Sequence, residues 1–91
     1  MKPAYCRANS ISYREAGERM RLSHERLIEA RATLTAFRVA SAVWGLTAGY
    51  SKAWDLVFVD SIAELTGMDH RSVRRGIKEC ERAGALQWRP S

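Results

Sequence analysis

The side chains most capable of chemistry are concentrated between positions 70 and 82, in HRSVRRGIKECER. His70, Arg71, Ser72, Arg74, Arg75, Lys78 and Arg82 can all donate hydrogen bonds there. Arginine holds phosphate in a bidentate fork and meets the acceptor edge of guanine better than lysine does. At 100° per residue, Arg71, Arg75, Lys78 and Arg82 share one helix face with Arg74 on its flank, while Val73, Ile77 and Cys80 share the opposite face. Gly76 lies at the margin of the apolar side, where a missing side chain permits close helix approach. Such a helix can bury one face and send the other into a groove about 12 Å wide, the major groove of duplex DNA. A charge run is often only a solvated surface. Here the first nine residues, His70 to Lys78, hold four cations and no acid, and Glu79 and Glu81 come later, which favours contact with a polyanion. Asp69 and the amides behind it form a helix start that can also hold phosphate. His70, at that start, is either a plain helix residue or a base or phosphate contact.

The whole composition points the same way. Ninety-one residues, 46% of them hydrophobic, suffice for one domain with a modest core. Fifteen Lys and Arg against ten Asp and Glu leave a net charge of +5, so nucleic acid and anionic membrane are the natural partners. No apolar run approaches the roughly 18 to 20 residues needed to span a bilayer, and Met1 to Ser10 lacks an apolar signal core, so we expect a soluble, cytoplasmic protein without a membrane partner. Twelve of the fifteen cations are arginine. A GC-rich genome would raise that count by itself, so their placement has to decide.

Other chemistries are poorly supplied. Cys6 and Cys80 are 74 positions apart, without a CxxC or a paired histidine spacing, which reads as two free thiols, Cys80 in the core, and no metal. There is no Gly-rich phosphate loop, and His24 and His70 have no nucleophile and orienting acid nearby in sequence. The expectation is a protein that is not an enzyme and needs no cofactor. Trp44, Trp54 and Trp88 read as core and strand-edge packing rather than base-stacking platforms, and Ser12, Ser61 and Ser72 as caps or helix-surface residues.

The elements that must position the basic helix can be read in turn. Residues 1–11 form a tail, and 12–91 a DNA-binding domain with an N-terminal helical extension. Ser12 with Glu15 is a capping box opening a charged helix from Tyr13 to about Arg31, with an interruption near Ser23 left open. Thr33 or Thr35 caps the next helix, whose apolar face is Leu34, Phe37, Ala40, Val43, Trp44 and Thr47. After Gly49 and a short loop, Leu56-Val57-Phe58-Val59 suits a strand. Ser61 with Glu64 is a second capping box, for a short helix ending at Thr66 before Gly67. Asp69 caps the basic helix, Gly84 stops it, and Ala85 to Trp88 can return as a strand beside Leu56 to Val59. The predicted fold is mainly α with a small β-hairpin, a winged helix-turn-helix.

The stretch LTAFRVASAVWGLTAGYSKAWDLVFVDSIAELTGMDHRSVRRGIKECERAGAL, Leu34 to Leu86, resembles the N-terminal DNA-binding domain of the phage replication protein O-like family and the wider set of winged-helix replication initiators. The ending SIAELTGMDHRSVRRGIKECERAGAL is shared by many bacterial winged helices, and only the Gly49-Tyr50 loop leans toward replication. The resemblance implies that Arg71, Ser72, Arg74, Arg75 and Lys78 face DNA, and that Ile62, Leu65, Val73, Ile77 and Leu86 form the core. The chain departs from the family in one respect: only seven residues follow Gly84, so the wing is absent or rudimentary. The chain is either a natural short protein or a domain of a longer initiator. Expected partners are double-stranded DNA, with a homodimer or replication proteins as further ones. The rival readings are a protein-interaction module, in which Tyr13 to Arg31 is the interface, and a phage-encoded inhibitor that borrows the fold. DNA affinity that falls steeply with salt separates the first reading from salt-insensitive protein docking.

Overall fold

The computed structural model describes residues 11–47 and 56–88. It is mainly helical, with four helices and no strand among the described residues: α1 (Tyr13–Glu29), α2 (Leu34–Leu46), α3 (Val59–Thr66) and α4 (His70–Arg82). The expected tail at positions 1–10, the Gly49-Tyr50 loop, Cys6 and Trp54 lie outside the described residues.

Helix α1 starts where its cap predicts, with the Ser12 hydroxyl accepting from the Glu15 amide at 3.1 Å. It runs unbroken through Ser23. That serine is buried because it ties three segments together: its hydroxyl donates to the Ala85 carbonyl at 2.7 Å and accepts from the Trp44 indole N–H at 3.1 Å. The helix ends in a Schellman turn, with Arg31 N–H bonded to Ile28 O and Ala32 N–H to Leu27 O, both at 3.0 Å. The left-handed position of that turn, φ 53°, is filled by Arg31.

Helix α2 is the central element, in contact with all three others. Thr33 caps it, accepting from the Ala36 amide. Its buried face is Ala36, Val39, Ala40 and Ala42, with Val43 and Trp44 half-buried. The expected face was centred differently: Ala40 and Thr47 are buried, but Leu34 is 66% exposed. The reason is α4, whose Gly76 comes so close that an added Cβ would stand 2.6 Å from Val39 Cγ2 and 3.2 Å from the Thr35 carbonyl oxygen. This turns the 36/39/40/43 stripe inward and Leu34 outward.

Two expectations about the segment between α2 and α4 are corrected. The Leu56–Val59 strand does not form, because the Phe58 carbonyl accepts from the Ser61 and Ile62 amides at 3.0 and 3.2 Å and the chain is helical from Val59. The Ser61/Glu64 capping box fails for the same reason: Phe58 occupies the cap position, without a side-chain cap bond. Nor is Ala85–Trp88 a strand. The Ala85 amide closes on Cys80 O at 2.9 Å and its carbonyl is held by Ser23, so both backbone groups of Ala85 are committed outside a hairpin ladder. Trp88 is half-buried against the core all the same.

The core comprises Leu27 from α1, Ala36, Val39, Ala40 and Ala42 from α2, Ile62 from α3, and Val73, Ile77 and Cys80 from α4. Leu86 packs on its edge. Leu65, expected inside, is 61% exposed and lines an open groove with Leu34, Phe37 and Arg38. Ile62 takes the inward position on this short helix, and Leu65 is left on the open side of the groove.

Candidate nucleic-acid interface

The unit that carries the basic face is α3, a turn and α4. Gly67 ends α3 in the left-handed conformation at φ 72°, its amide bonded to Ala63 O at 2.8 Å. The sharp exit needs that φ, which glycine reaches without a Cβ penalty. Thr66 steadies the turn, its hydroxyl donating to Ile62 O at 2.7 Å and accepting from the Met68 amide at 3.3 Å. Asp69 then caps α4, accepting from the Ser72 amide at 2.7 Å. Hydrogen bonds from the Ser72 backbone and side chain hold the Asp69 carboxyl below its usual pKa, with a smaller contribution from Arg75. Gly84 closes α4 at φ 73° in the same Schellman pattern as α1, with bonds from Gly84 N–H to Glu81 O and Ala85 N–H to Cys80 O.

The two faces of α4 fall as their spacing requires. Val73, Gly76, Ile77 and Cys80 are buried. Arg71, Arg74, Arg75, Lys78 and Arg82 are exposed, and none forms an ion pair with a carboxylate among the described residues. From Arg71 to Arg82 this face extends about 16 Å along the helix. Its charge is not diluted by neighbours of its own kind: α1 carries four arginines against four glutamates and pairs two of them, Arg14 with Glu18 and Arg21 with Glu25. The cations at the start of α4 also run against the helix macrodipole, which favours acids there and bases at the C-terminus. Helix stability alone would not select this arrangement. The cost is offset by Asp69, the one acid at that end, which is placed as the cap.

The remaining site candidates are differently disposed. His70 is turned back onto α3, its Nε2 paired with Asp60 Oδ1. Ser72 is half-buried and engaged with Asp69, so its amide is already taken and is not open to phosphate. Sequence reasoning missed Glu79. Its carboxylate reaches α2 and accepts from both the Thr33 amide and the Thr33 hydroxyl, each at 2.7 Å. Helix α2 has no acid in its own first turn, so Glu79 supplies the negative charge its N-terminus lacks. A pairing across 46 positions leaves no local pattern to find.

Little else in the described residues resembles a reactive centre. No group of three or more His, Cys, Asp or Glu converges among them. His24 packs edge-on against Phe37, with ring centroids 5.4 Å apart. The Cys80 thiol is buried, donates to the Ala36 carbonyl at 3.3 Å, and has its pKa pushed up to about 11 by desolvation and by the Glu79 charge. No helix among the described residues is long and apolar enough to cross a membrane. No family model, curated protein or solved structure matches the chain.

Proposed function

We propose that the chain is a non-enzymatic, sequence-specific binder of double-stranded DNA, with α3, the Gly67 turn and α4 acting as a helix-turn-helix and α4 as the recognition helix. The observation that carries the reading is the exposed row Arg71, Arg74, Arg75, Lys78 and Arg82, opposite the buried row Val73, Gly76, Ile77 and Cys80 on the same helix. A helix that is anchored on one side and cationic on the other, with bases at the end where its own dipole disfavours them, suits a duplex groove. The resemblance to winged-helix replication initiators fits either an initiator domain or a small transcription regulator. In this reading the wing is short or absent, and the chain after α4 starts tied to α1 through the Ala85 carbonyl and Ser23.

The test is a fluorescence-anisotropy titration of labelled duplex at several salt concentrations. Wild type should bind, with affinity falling steeply as salt rises. Lys78, further along the helix, is assigned to phosphate, so Lys78→Ala should weaken all duplexes alike and lower the salt slope by about one. Absence of duplex binding even at low salt would overturn the reading.

A further inference from the structure

Resting on the DNA-binding reading, we infer that the target sequence is built around guanines: Arg71 and Arg75 each meet one, within two base-pair steps of each other. Over the first nine residues of α4, the side chains able to read a base edge are His70, Arg71, Ser72, Arg74, Arg75 and Lys78. His70 is drawn onto Asp60, and Ser72 is engaged with the Asp69 cap. Arg71, Arg74, Arg75 and Lys78 are left, and every one is a donor without an acceptor.

A face made only of donors selects by what it cannot do. It cannot accept from the exocyclic amino group of adenine or cytosine, and it contains no Asn or Gln to bridge adenine's donor and acceptor together. Glu79, the nearest acid on the helix that could accept from cytosine, is spent on Thr33, and the exposed Glu81 lies beyond the first nine residues, six positions past Arg75. Guanine presents two adjacent acceptors, O6 and N7, to the major groove, and the arginine fork fits both. Arg71 and Arg75 are one helical turn apart on the exposed face, about 6 Å. Successive base pairs rise 3.4 Å, so two guanines read by them fall within two steps. Arg74, on the flank, and Lys78 and Arg82, deeper along the helix, are left to the phosphates on either side.

The experiment selects bound duplexes from a random pool with the full chain, then measures the best site with guanine replaced by analogues at each selected position. Two guanines within two steps should be enriched. Replacement by 7-deazaguanine, which lacks the N7 acceptor, should weaken binding about tenfold or more at each, whereas inosine, which keeps O6 and N7, should bind nearly as well as guanine. Arg71→Ala and Arg75→Ala should each abolish the 7-deazaguanine effect at one position only, and Arg19→Ala, an exposed residue of α1, should change neither. Steeply salt-dependent duplex binding with a selected site lacking paired guanines, or indifferent to 7-deazaguanine, overturns this inference and leaves the DNA reading intact. Failure to bind any duplex overturns the DNA reading itself.

Discussion

Replacing Gly76 by alanine puts the contact that seats α4 on α2 directly under test. In an open helix interior this change is favourable by about 1 kcal/mol, because glycine is the poorer helix former. At Gly76 the added Cβ would stand 2.6 Å from Val39 Cγ2, 3.3 Å from Thr35 Cγ2 and 3.2 Å from the Thr35 carbonyl oxygen. Ordinary carbon contacts lie at about 3.5 to 4.0 Å. Val39 is fully buried and β-branched, so it cannot swing aside, and the Thr35 oxygen belongs to the backbone. The helices must therefore separate, an overpacking cost of about 1 to 3 kcal/mol that exceeds the propensity gain. We expect a net loss of up to about 2 kcal/mol, equivalent to a fall in Tm of up to roughly 15 °C for a domain of this size. Gly17→Ala is the matched control: nothing lies within 4 Å of its added Cβ, so it should stabilise by about 0.5 to 1 kcal/mol. Urea unfolding followed by circular dichroism gives both values. In a double-mutant cycle, Val39→Ala should make Gly76→Ala less costly than it is in wild type. If Gly76→Ala stabilises as Gly17→Ala does, the α2–α4 packing derived above is wrong.

Other expectations concern ties that hold the same helix. Glu79→Ala should cost about 1 to 2 kcal/mol by stripping Thr33 of its acceptor and α2 of its N-terminal charge, and Glu79→Gln less, measured by urea unfolding. Ser23→Ala leaves the Trp44 indole N–H and the Ala85 carbonyl without their partner and should cost about 1 to 3 kcal/mol, with a change in tryptophan emission; an unchanged melt would refute the three-way tie. Arg31→Gly should raise stability by up to about 1 kcal/mol, since Arg31 holds a left-handed φ that glycine adopts freely. The Cys80 pKa is raised in the folded state, so its contribution is complete below pH 9 and is lost as pH rises towards about 11. Peptide mapping after iodoacetamide at pH 8 should find Cys80 unmodified in the native chain and modified in urea.

What was legible in the sequence is mostly written locally, the Ser61/Glu64 capping box being an exception, since α3 starts two residues earlier. The caps Ser12, Thr33 and Asp69, the stops Gly67 and Gly84, and the two faces of α4 each depend on residues within one or two turns of each other, and each is present as read. The misreadings share a different cause. Leu56–Val59 has strand propensity, but the Phe58 carbonyl is taken by the first turn of α3, and the Ala85 carbonyl is held by Ser23. Leu34 and Leu65 are apolar and correctly spaced for a core, yet they sit outside it: the close approach of Gly76 chooses which stripe of α2 turns inward, and Ile62 takes the inward position on α3. Arg31 could not be recognised as a helix stop, because the residue type that normally marks a left-handed turn is absent there. Within the candidate site, the arginines were identified by type and period, whereas the diversion of His70 to Asp60 and of Glu79 to Thr33 depends on tertiary contact.

On the proposed DNA-binding reading, those diversions bear on specificity as much as on stability. Glu79 and the buried row Val73, Gly76, Ile77 and Cys80 fix α4 against α2 along its length. Asp69 fixes its start, and the Schellman turn at Gly84 its end. Three polar side chains of α4 that could complicate base recognition are consumed in this fastening, Ser72 at the cap, His70 on α3 and Glu79 on α2, and the exposed Glu81 lies beyond the first nine residues. Of the side chains in its first nine residues that could read a base, only arginine and lysine remain uncommitted. Stabilising the helix and simplifying its chemical surface are thus accomplished by the same contacts. Freeing one of them should therefore change base preference as well as stability: Asp60→Ala, which releases His70, should broaden the selected site at the position nearest the helix start while leaving the two guanine positions unchanged.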